Sequence, residues 1–227
     1  MELKLGYIGL SILMTIILVV IANKATKSSA SKAPAKLLYI LLGWHLYIYL
    51  LSITGFLENL DFPPRFVFLT IMPAFIFVGW FAKKAKNSQW LLSIPSHWLV
   101  FYQFFRILIE TLFVFTVSAG LLHVNVTIEG YNFDMIYAIT ALAAGWLVMK
   151  GYYKFGLIWN YLGLLVIASI IILFQLTIFA PHVFGPNTAS FPLGFLQYPY
   201  MLVPAFLMPS AVFIHVLSIV QLRKKLT

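Results

Sequence analysis

The sequence predicts an all-α polytopic membrane protein, built as a bundle of seven transmembrane helices. Of the 227 residues, 62% are hydrophobic and only 9% are charged, whereas soluble domains are about half apolar and a quarter charged. Because a helix needs about 20 apolar residues to cross a hydrocarbon core of about 30 Å, seven such segments with short loops use the whole length. We therefore predict one transmembrane domain over residues 1–227.

The apolar segments define the predicted spans. The first is longer than the core of a signal peptide, and the basic cluster follows it, so we interpret it as a retained span. The polar stretch 24–36 is predicted to be a flexible loop. Residues 87–95 are too short to cross and carry Trp90, so they are expected to lie along the interface. The predicted spans are 5–23, 37–57, 65–82, 96–120, 133–150, 156–180 and 200–222.

Two spans contain prolines, and the fifth contains small residues. Pro73 interrupts the third span, and Pro204 and Pro209 interrupt the seventh. Such kinks either shape a cavity or only set the geometry of the bundle. The run AITALAAG in the fifth span favours the close approach of a neighbouring helix.

The charged residues predict the orientation. Positive residues concentrate in cytoplasmic loops. Lys4 and Arg65 lie on the opposite side, Arg106 lies inside a span, and the acidic residues outside the spans are all on the side opposite to the basic cluster. The N-terminus is therefore expected outside and the C-terminus in the cytoplasm. The loops after spans one, three and five and the C-terminal tail hold Lys24, Lys27, Lys32, Lys36, Lys83, Lys84, Lys86, Lys150, Lys154, Arg223, Lys224 and Lys225.

Several classes of function are excluded by composition and motifs. The basic residues sit at helix ends, which argues against a nucleic-acid partner. The chain has no cysteine, so thiol chemistry is excluded. It carries no lysine within the spans away from their ends, as a retinal protein needs, and no P-loop, H-E-x-x-H or G-x-S-x-G motif. We predict no cofactor.

Arg106 and Glu110 are the charged residues inside the predicted fourth span. Their spacing places them on one helix face, with Gln103 one turn before Arg106. A lone charge at the centre of a membrane helix costs about 2.5–3.5 kcal/mol on insertion scales, so the pair predicts mutual neutralisation or a polar cavity. Arg before Glu is the weaker order for an intrahelical pair, so either residue is open to another helix. The pair is either a structural contact or a binding or proton-relay site.

Other polar residues lie at a similar predicted depth in the inner half of the bundle. The two histidines among them lack the i, i+3 or i+4 spacing of a helical metal motif, so we predict no metal, and a hydrogen-bonded core role is favoured for both. The predicted ligand-binding set is Gln103, Arg106, Glu110, His45, Asn160 and His215.

A second polar group is predicted at the outer face. Glu129, Asn132, Asp134 and His182 would together form an outward-facing mouth. The competing interpretation is helix capping, with Asn132 as the N-cap of the fifth helix and Asp134 in its first turn, where a negative charge is favourable.

Three features follow one another in the second half of the chain: Phe105-Arg106 with Glu110, then Gly130-x-Asn132-Phe133-Asp134, then a proline-broken last helix with His215. From about Pro95 onward this pattern resembles a group of bacterial seven-helix membrane proteins of unknown function. The resemblance implies a multi-pass protein of the bacterial inner membrane and supplies no mechanism. The threading also resembles that of G-protein-coupled receptors, in architecture alone.

The sequence leaves three functional hypotheses. The first is binding or translocation of a small molecule, with Arg106 recognising an anionic or polar group and Glu110 acting as counter-ion or proton acceptor. The second is an intramembrane enzyme acting on a lipid, with Glu110 or Asp134 as general base near His215. The third is a structural partner for another membrane protein, which the run AITALAAG favours. The expected partners are thus the lipid bilayer, a small-molecule or lipid ligand, and a membrane protein.

Overall fold

A computed structural model describes residues 1–26 and 32–227 of the chain. Within these residues the fold is all-helical and contains no strand. Six helices are, by length and composition, long and apolar enough to cross a membrane, and the helix over the predicted fifth span is shorter. Numbered in chain order, the helices are α1 (Glu2–Thr26), α2 (Ala33–Ser52), α3 (Val67–Lys86), α4 (Ser96–Ser118), α5 (Asp134–Met149), α6 (Tyr153–Phe179) and α7 (Val203–Leu226).

The helices run past the predicted apolar limits at their basic ends. Basic residues occupy the last turns of α1, α3 and α7. A positive side chain there interacts favourably with the negative end of the helix dipole, so the helix continues after its apolar stretch has ended. The prediction of a loop over 24–36 is wrong at both ends, because α1 continues to Thr26 and α2 begins at Ala33. Residues 27–31 of that loop, with Lys27, lie outside the described residues.

The last helix, α7, is the centre of the bundle. Residues such as Leu207, Ile214 and Ser218 on it are fully buried, and it packs against α3, α4 and α6. In contrast, Ile48 and Ser52 are the buried residues of α2, which otherwise exposes its apolar side chains. Apolar side chains at the periphery and a buried α7 are the arrangement expected of a bundle that lipid surrounds.

The small residues of α5 are used within the chain. Ala141 and Ala144 are buried, and a Cβ atom on Gly145 would collide with the ring of Phe101. The first turns of α4 pack on α5 at this point. The run AITALAAG therefore serves an intramolecular helix contact, and a membrane-protein partner stays a prediction.

Two proline-interrupted helices begin with the same local structure. Val67–Ile71 and Val203–Leu207 are π-helical turns, and each is followed by a Met-Pro pair. Proline has no N–H, so the carbonyl four residues before it loses its usual donor. In a membrane such a carbonyl needs another partner.

Helix α2 supplies both missing donors. The hydroxyl of Tyr47 donates to the carbonyl of Leu69, four residues before Pro73, at 3.1 Å. The indole N–H of Trp44 donates to the carbonyl of Ala205, four residues before Pro209, at 3.0 Å. The two rings stack on each other with centroids 5.3 Å apart. One turn of α2 thus holds the two π-turns.

We expect Tyr47→Phe to lower the free energy of unfolding by about 0.6 kcal/mol, a typical value for a hydrogen bond between membrane helices. Steric trapping or denaturant unfolding in bicelles measures it. The matched control is Tyr39→Phe on the same helix, where the side chain is 73% exposed and no change is expected. Equal effects of the two substitutions would contradict a role for the Tyr47 hydroxyl.

Candidate functional site

The centre of the bundle holds a buried ion pair between α4 and the first turn of α5. Arg106 donates from Nε to Oδ2 of Asp134 at 2.9 Å and from Nη2 to Oδ1 of the same carboxylate. Arg106 is 2% exposed and Asp134 is 6% exposed. Two parallel hydrogen bonds fix the planes of both groups as well as their distance. Arg106 is therefore neutralised by a residue 28 positions away in sequence, and not by Glu110.

Glu110 lies one turn further along α4 and has a different partner. The side-chain amide of Asn132 donates to Glu110 Oε1 at 2.8 Å and to the carbonyl of Val126 at 3.0 Å. The second carboxyl oxygen, Oε2, is buried and has no hydrogen-bond partner within the described chain. Buried polar atoms are nearly always paired, so an unpaired one indicates strain, function or a missing ligand.

Asn132 also fixes Asp134. The side-chain oxygen of Asn132 accepts a hydrogen bond from the backbone N–H of Asp134 at 2.9 Å. The helix begins at Asp134, with Phe133 at the N-cap position. One side chain thus orders the first turn of α5 through its oxygen and orients Glu110 through its nitrogen.

His215 on α7 extends the network to α6. Nη1 of Arg106 lies 3.4 Å from Nε2 of His215, and Nδ1 of His215 lies 2.9 Å from Oδ1 of Asn160. Since a guanidinium can only donate, Nε2 is the acceptor, and Nδ1 carries the proton and donates to Asn160. The amide of Asn160 in turn donates to the carbonyl of Gly156 at 2.7 Å. Every link has a defined direction, and the imidazole is neutral.

Two aromatic residues and one glycine enclose this network. The Arg106 guanidinium lies 5.2 Å from the centroid of the Tyr137 ring, which stacks on Trp159 with centroids 4.7 Å apart. A Cβ atom on Gly163 would lie 2.5 Å from the Tyr137 hydroxyl and 2.6 Å from Nε2 of His215. Glycine is therefore required at position 163 for both side chains to reach the ion pair.

Gln103 belongs to a neighbouring contact and not to the ion-pair network. Its amide nitrogen donates to the carbonyl of Ala211 on α7 at 3.0 Å, and its Oε1 atom is buried without a partner in the described residues. Gln103 thus connects one turn of α4 to α7, and Arg106 lies on the next turn of α4.

The segment before α5 is folded into the bundle. Val126 and Thr127 are fully buried, and the backbone N–H groups of Tyr131 and Asn132 donate to the carbonyls of Asn125 and Thr127. A Cβ atom on Gly130 would lie 2.5 Å from the carbonyl oxygen of Val124, so this close approach requires glycine. Non-helical backbone at such depth needs internal hydrogen bonds, which this segment makes.

His123 caps the first turn of the same segment. Its Nδ1 atom accepts a hydrogen bond from the backbone N–H of Asn125 at 3.2 Å. Burial lowers the pKa of His123 below its usual value. The neutral imidazole, which alone has a free acceptor nitrogen, is therefore the form that supports this turn.

A cavity of about 90 Å³ extends from the ion pair between α4, α6 and α7. We call it the core cavity. Arg106, Glu110 and Asp134 line one part of it, and Gln175 adds one further polar side chain. The remaining walls are apolar, among them Ile109, Phe113, Phe174 and Phe195. The space admits a few water molecules or a short apolar chain.

The structure brings four members of the predicted ligand-binding set close together and leaves two apart, Gln103, which bonds Ala211, and His45. Arg106 joins His215, which joins Asn160, and Glu110 lies one turn away. His45 is on α2, where Nδ1 lies 2.8 Å from the carbonyl of Leu41 and the ring packs on Phe206. Its other ring nitrogen is buried without a partner in the described residues.

The predicted outer mouth is divided in the same way. Asn132 and Asp134 are buried in the network, whereas Glu129 is exposed in a turn and His182 is exposed in the 3₁₀ helix Pro181–Phe184. Sequence reasoning missed Tyr137 and Gly163. The signal for Tyr137 was its position one turn after Asp134 on the same helix, but no sequence pattern links Gly163 to it.

The described residues contain no group of three or more His, Cys, Asp or Glu side chains that could hold a metal. No hydrogen bond in the described chain joins His215 to Glu110 or Asp134, since Arg106 lies between them. His215 therefore makes no direct hydrogen bond to either carboxylate, and the lipid-enzyme hypothesis, which also allows a contact through one water molecule, stays a prediction. Comparisons with protein-family models, curated proteins and solved structures found no match. The resemblance to bacterial seven-helix proteins therefore stays a prediction.

We expect Arg106→Gln and Asp134→Asn each to cost about 3–5 kcal/mol of unfolding free energy, because each leaves an uncompensated buried charge. The double variant is expected to cost less than the sum of the two, because it removes both charges together. Unfolding titrations of all four proteins in the same bicelles measure the difference. Additive costs would show that the two groups do not interact.

We also expect Gly163→Ala to destabilise the fold by about 1–3 kcal/mol, because the added methyl group displaces Tyr137 or His215. The matched control is Gly79→Ala on α3, where an added Cβ meets nothing within 4 Å. Thermal unfolding in detergent compares the two variants. A stable Gly163→Ala protein would contradict the tight fit described around the network.

Proposed function

We propose that this is a seven-span membrane protein that binds or translocates a small amphipathic molecule at the core cavity. The observation that carries the proposal is the free oxygen of Glu110. Oε2 is buried, it has no hydrogen-bond partner in the described residues, and its residue lines a cavity. An acceptor in this position is suited to a ligand that donates a hydrogen bond.

The charge of the cluster favours the same ligand chemistry. One guanidinium and two carboxyl groups line the core cavity, and the guanidinium is engaged by Asp134. With both carboxyl groups ionised the cluster carries an excess negative charge, which is costly in a medium of low dielectric constant. Either a proton on Glu110 or a bound cationic group restores the balance.

The ion pair changes the role that the sequence suggested for Arg106. Because Asp134 occupies Nε and Nη2 of the guanidinium, an anionic ligand would have to displace a bidentate partner. We therefore assign Arg106 to holding Asp134 and His215 in place, and Glu110 to ligand contact. The ligand is then a small amine or alcohol with a short apolar body that fits the apolar walls.

The topology is part of the proposal. Helix α5 is one of the shorter apolar helices, with 10–17 residues. At 1.5 Å per residue its length is therefore less than about 26 Å. The buried segment before Asp134 supports a crossing by α5, because it fills the depth that the helix does not reach. The basic ends of α1, α3 and α7 support a cytoplasmic C-terminus. A bacterial inner membrane rests on the resemblance alone.

Hexylamine and hexanoate test the assignment, since they share a chain and differ in charge. Hexylamine at a hundred times its dissociation constant is expected to raise the melting temperature of the wild-type protein by roughly 5–10 °C. Glu110→Gln should abolish the rise, and Glu129→Gln, which alters an exposed acid, should retain it. Thermal unfolding in detergent at pH 7 gives the readout. Stabilisation by hexanoate, or an unchanged rise in Glu110→Gln, would reject the proposal.

A further inference from the structure

A second and larger cavity lies on the other side of α7. It occupies about 410 Å³ between α2 and α3 and is lined as well by α1 and α7. We call it the α2–α3 cleft. Its volume falls within the range of about 300–1,000 Å³ that is typical of ligand sites. Ile40 and Phe77 in its walls are 50% and 41% exposed, so the cleft is open at its side.

The interior of the α2–α3 cleft is apolar. Its walls include Ile21, Trp44, Phe77 and Phe213, and its one hydroxyl, that of Ser210, already donates to the carbonyl of Leu207. No charged side chain lines it. Such walls match a hydrocarbon chain and offer nothing to a polar ligand.

The two ends of the α2–α3 cleft differ. At one end the hydroxyl of Tyr47 on α2 bonds the carbonyl of Leu69 at the start of α3, which joins its two sides. The other end lies toward the C-terminus of α3, where Trp90 of the following turn contributes to the wall. The hydrocarbon part of a ligand can therefore extend from this second end toward Tyr47.

At that second end, lysines lie on the same helix faces as the apolar residues that line the cleft. Ile40 lines the cleft, and Lys36 lies four residues before it on α2. Phe77 and Phe81 line the cleft, and Lys84 follows them at seven and three residues on α3. These spacings keep each lysine on the helix face of the wall. Lys36 and Lys84 are both exposed.

A third lysine lies at the same end. Leu217 on α7 lines the cleft, and Lys224 follows it by two turns on the same face. Its ammonium group donates to the carbonyl of Ser88, just beyond the end of α3. The walls that α2, α3 and α7 contribute thus each end in a positive charge.

No acidic side chain forms an ion pair with these three lysines in the described residues. Among the described residues Arg106 and Asp134 form the one ion pair. The chain has six acidic residues, and none lies near the basic end of the cleft. Glu110 and Asp134 are in the buried network, and the others are Glu2 at the far end of α1, Glu58 and Asp61 after α2, and Glu129 before α5.

We propose that the α2–α3 cleft is a binding site for an anionic phospholipid, whose acyl chain lies along the apolar walls and whose phosphate lies among Lys36, Lys84 and Lys224. The apolar walls match the acyl chain of the lipid, and the lysines at the end of these walls match the phosphate that follows the chain. Anionic head groups attract basic residues at a membrane surface. A transmembrane helix of another protein would use the apolar walls and leave the three lysines without a counter-charge, so the lipid fits better.

Native mass spectrometry of the purified full-length protein, titrated with phosphatidylglycerol and with phosphatidylcholine of the same acyl chains, tests this inference. The wild-type protein is expected to bind one phosphatidylglycerol at least tenfold more tightly than phosphatidylcholine. Lys36→Gln with Lys84→Gln should reduce that preference roughly tenfold, because each lysine near a lipid surface contributes several-fold.

The matched control is Lys150→Gln with Lys154→Gln. Lys84 lies 5.6 Å from the Trp80 ring centroid and Lys150 lies 5.7 Å from that of Trp146, so the two pairs lose similar contacts and the same charge. Neither control lysine follows a wall of the α2–α3 cleft. The control should keep the wild-type preference. An equal loss of the phosphatidylglycerol preference in the two double variants would show that general surface charge causes the preference, and it would overturn the proposal.

A second pair of variants tests the cleft without altering charge. Gly43 lines it, and Gly79 does not, while an added Cβ meets nothing within 4 Å at either position. Gly43→Phe should fill the cleft and weaken phosphatidylglycerol binding about tenfold, and Gly79→Phe should not. Equal binding by Gly43→Phe and wild type, no lipid preference in the wild type, or a copurified polypeptide in place of the lipid would each overturn the proposal.

Discussion

The bidentate ion pair between Arg106 and Asp134 is the interaction on which the centre of this structure depends. Neither charge is tolerable alone at this depth, and each is held by two hydrogen bonds to the other. The pair fixes where α5 begins, because Asp134 is the first residue of that helix. The segment before it must then fold inward, which it does by satisfying its own backbone groups and by using Gly130 where no side chain fits.

The same constraint operates at the periphery, where proline and not charge creates the unsatisfied group. Pro73 and Pro209 each leave a carbonyl without its usual helical donor. Side chains of α2, Tyr47 and Trp44, donate hydrogen bonds to these two carbonyls. Helix α2 buries little of its own surface, and these two hydrogen bonds, with the packing of His45 on Phe206, are specific contacts that it makes with α3 and α7. Because hydrocarbon offers no hydrogen-bond donor, a proline in one helix requires a donor side chain on another helix.

Sequence reasoning predicted the helical membrane architecture because hydropathy is a local property, and each apolar stretch specifies its own helix. It also identified Arg106 and Glu110 as unusual. It left open whether they pair with each other or with another helix, because the partner that Arg106 has, Asp134, reaches it only after the preceding segment has folded inward, and no spacing rule encodes that fold. The interpretation of Asn132 as the N-cap is wrong by one residue, because Phe133 holds that position. The Asn132 oxygen does accept a hydrogen bond from the N–H of Asp134, but the contact of its nitrogen with Glu110 depends on tertiary structure.

Helix α7 separates the two cavities, and its π-turn determines which residues face each. Val203, Pro204 and Met208 line the core cavity, while Ala205, Phe206 and Pro209 line the α2–α3 cleft. The carbonyl that Trp44 binds belongs to Ala205, within this same turn. The irregular start of α7 therefore contributes residues to the walls of both cavities and supplies the carbonyl that anchors α2.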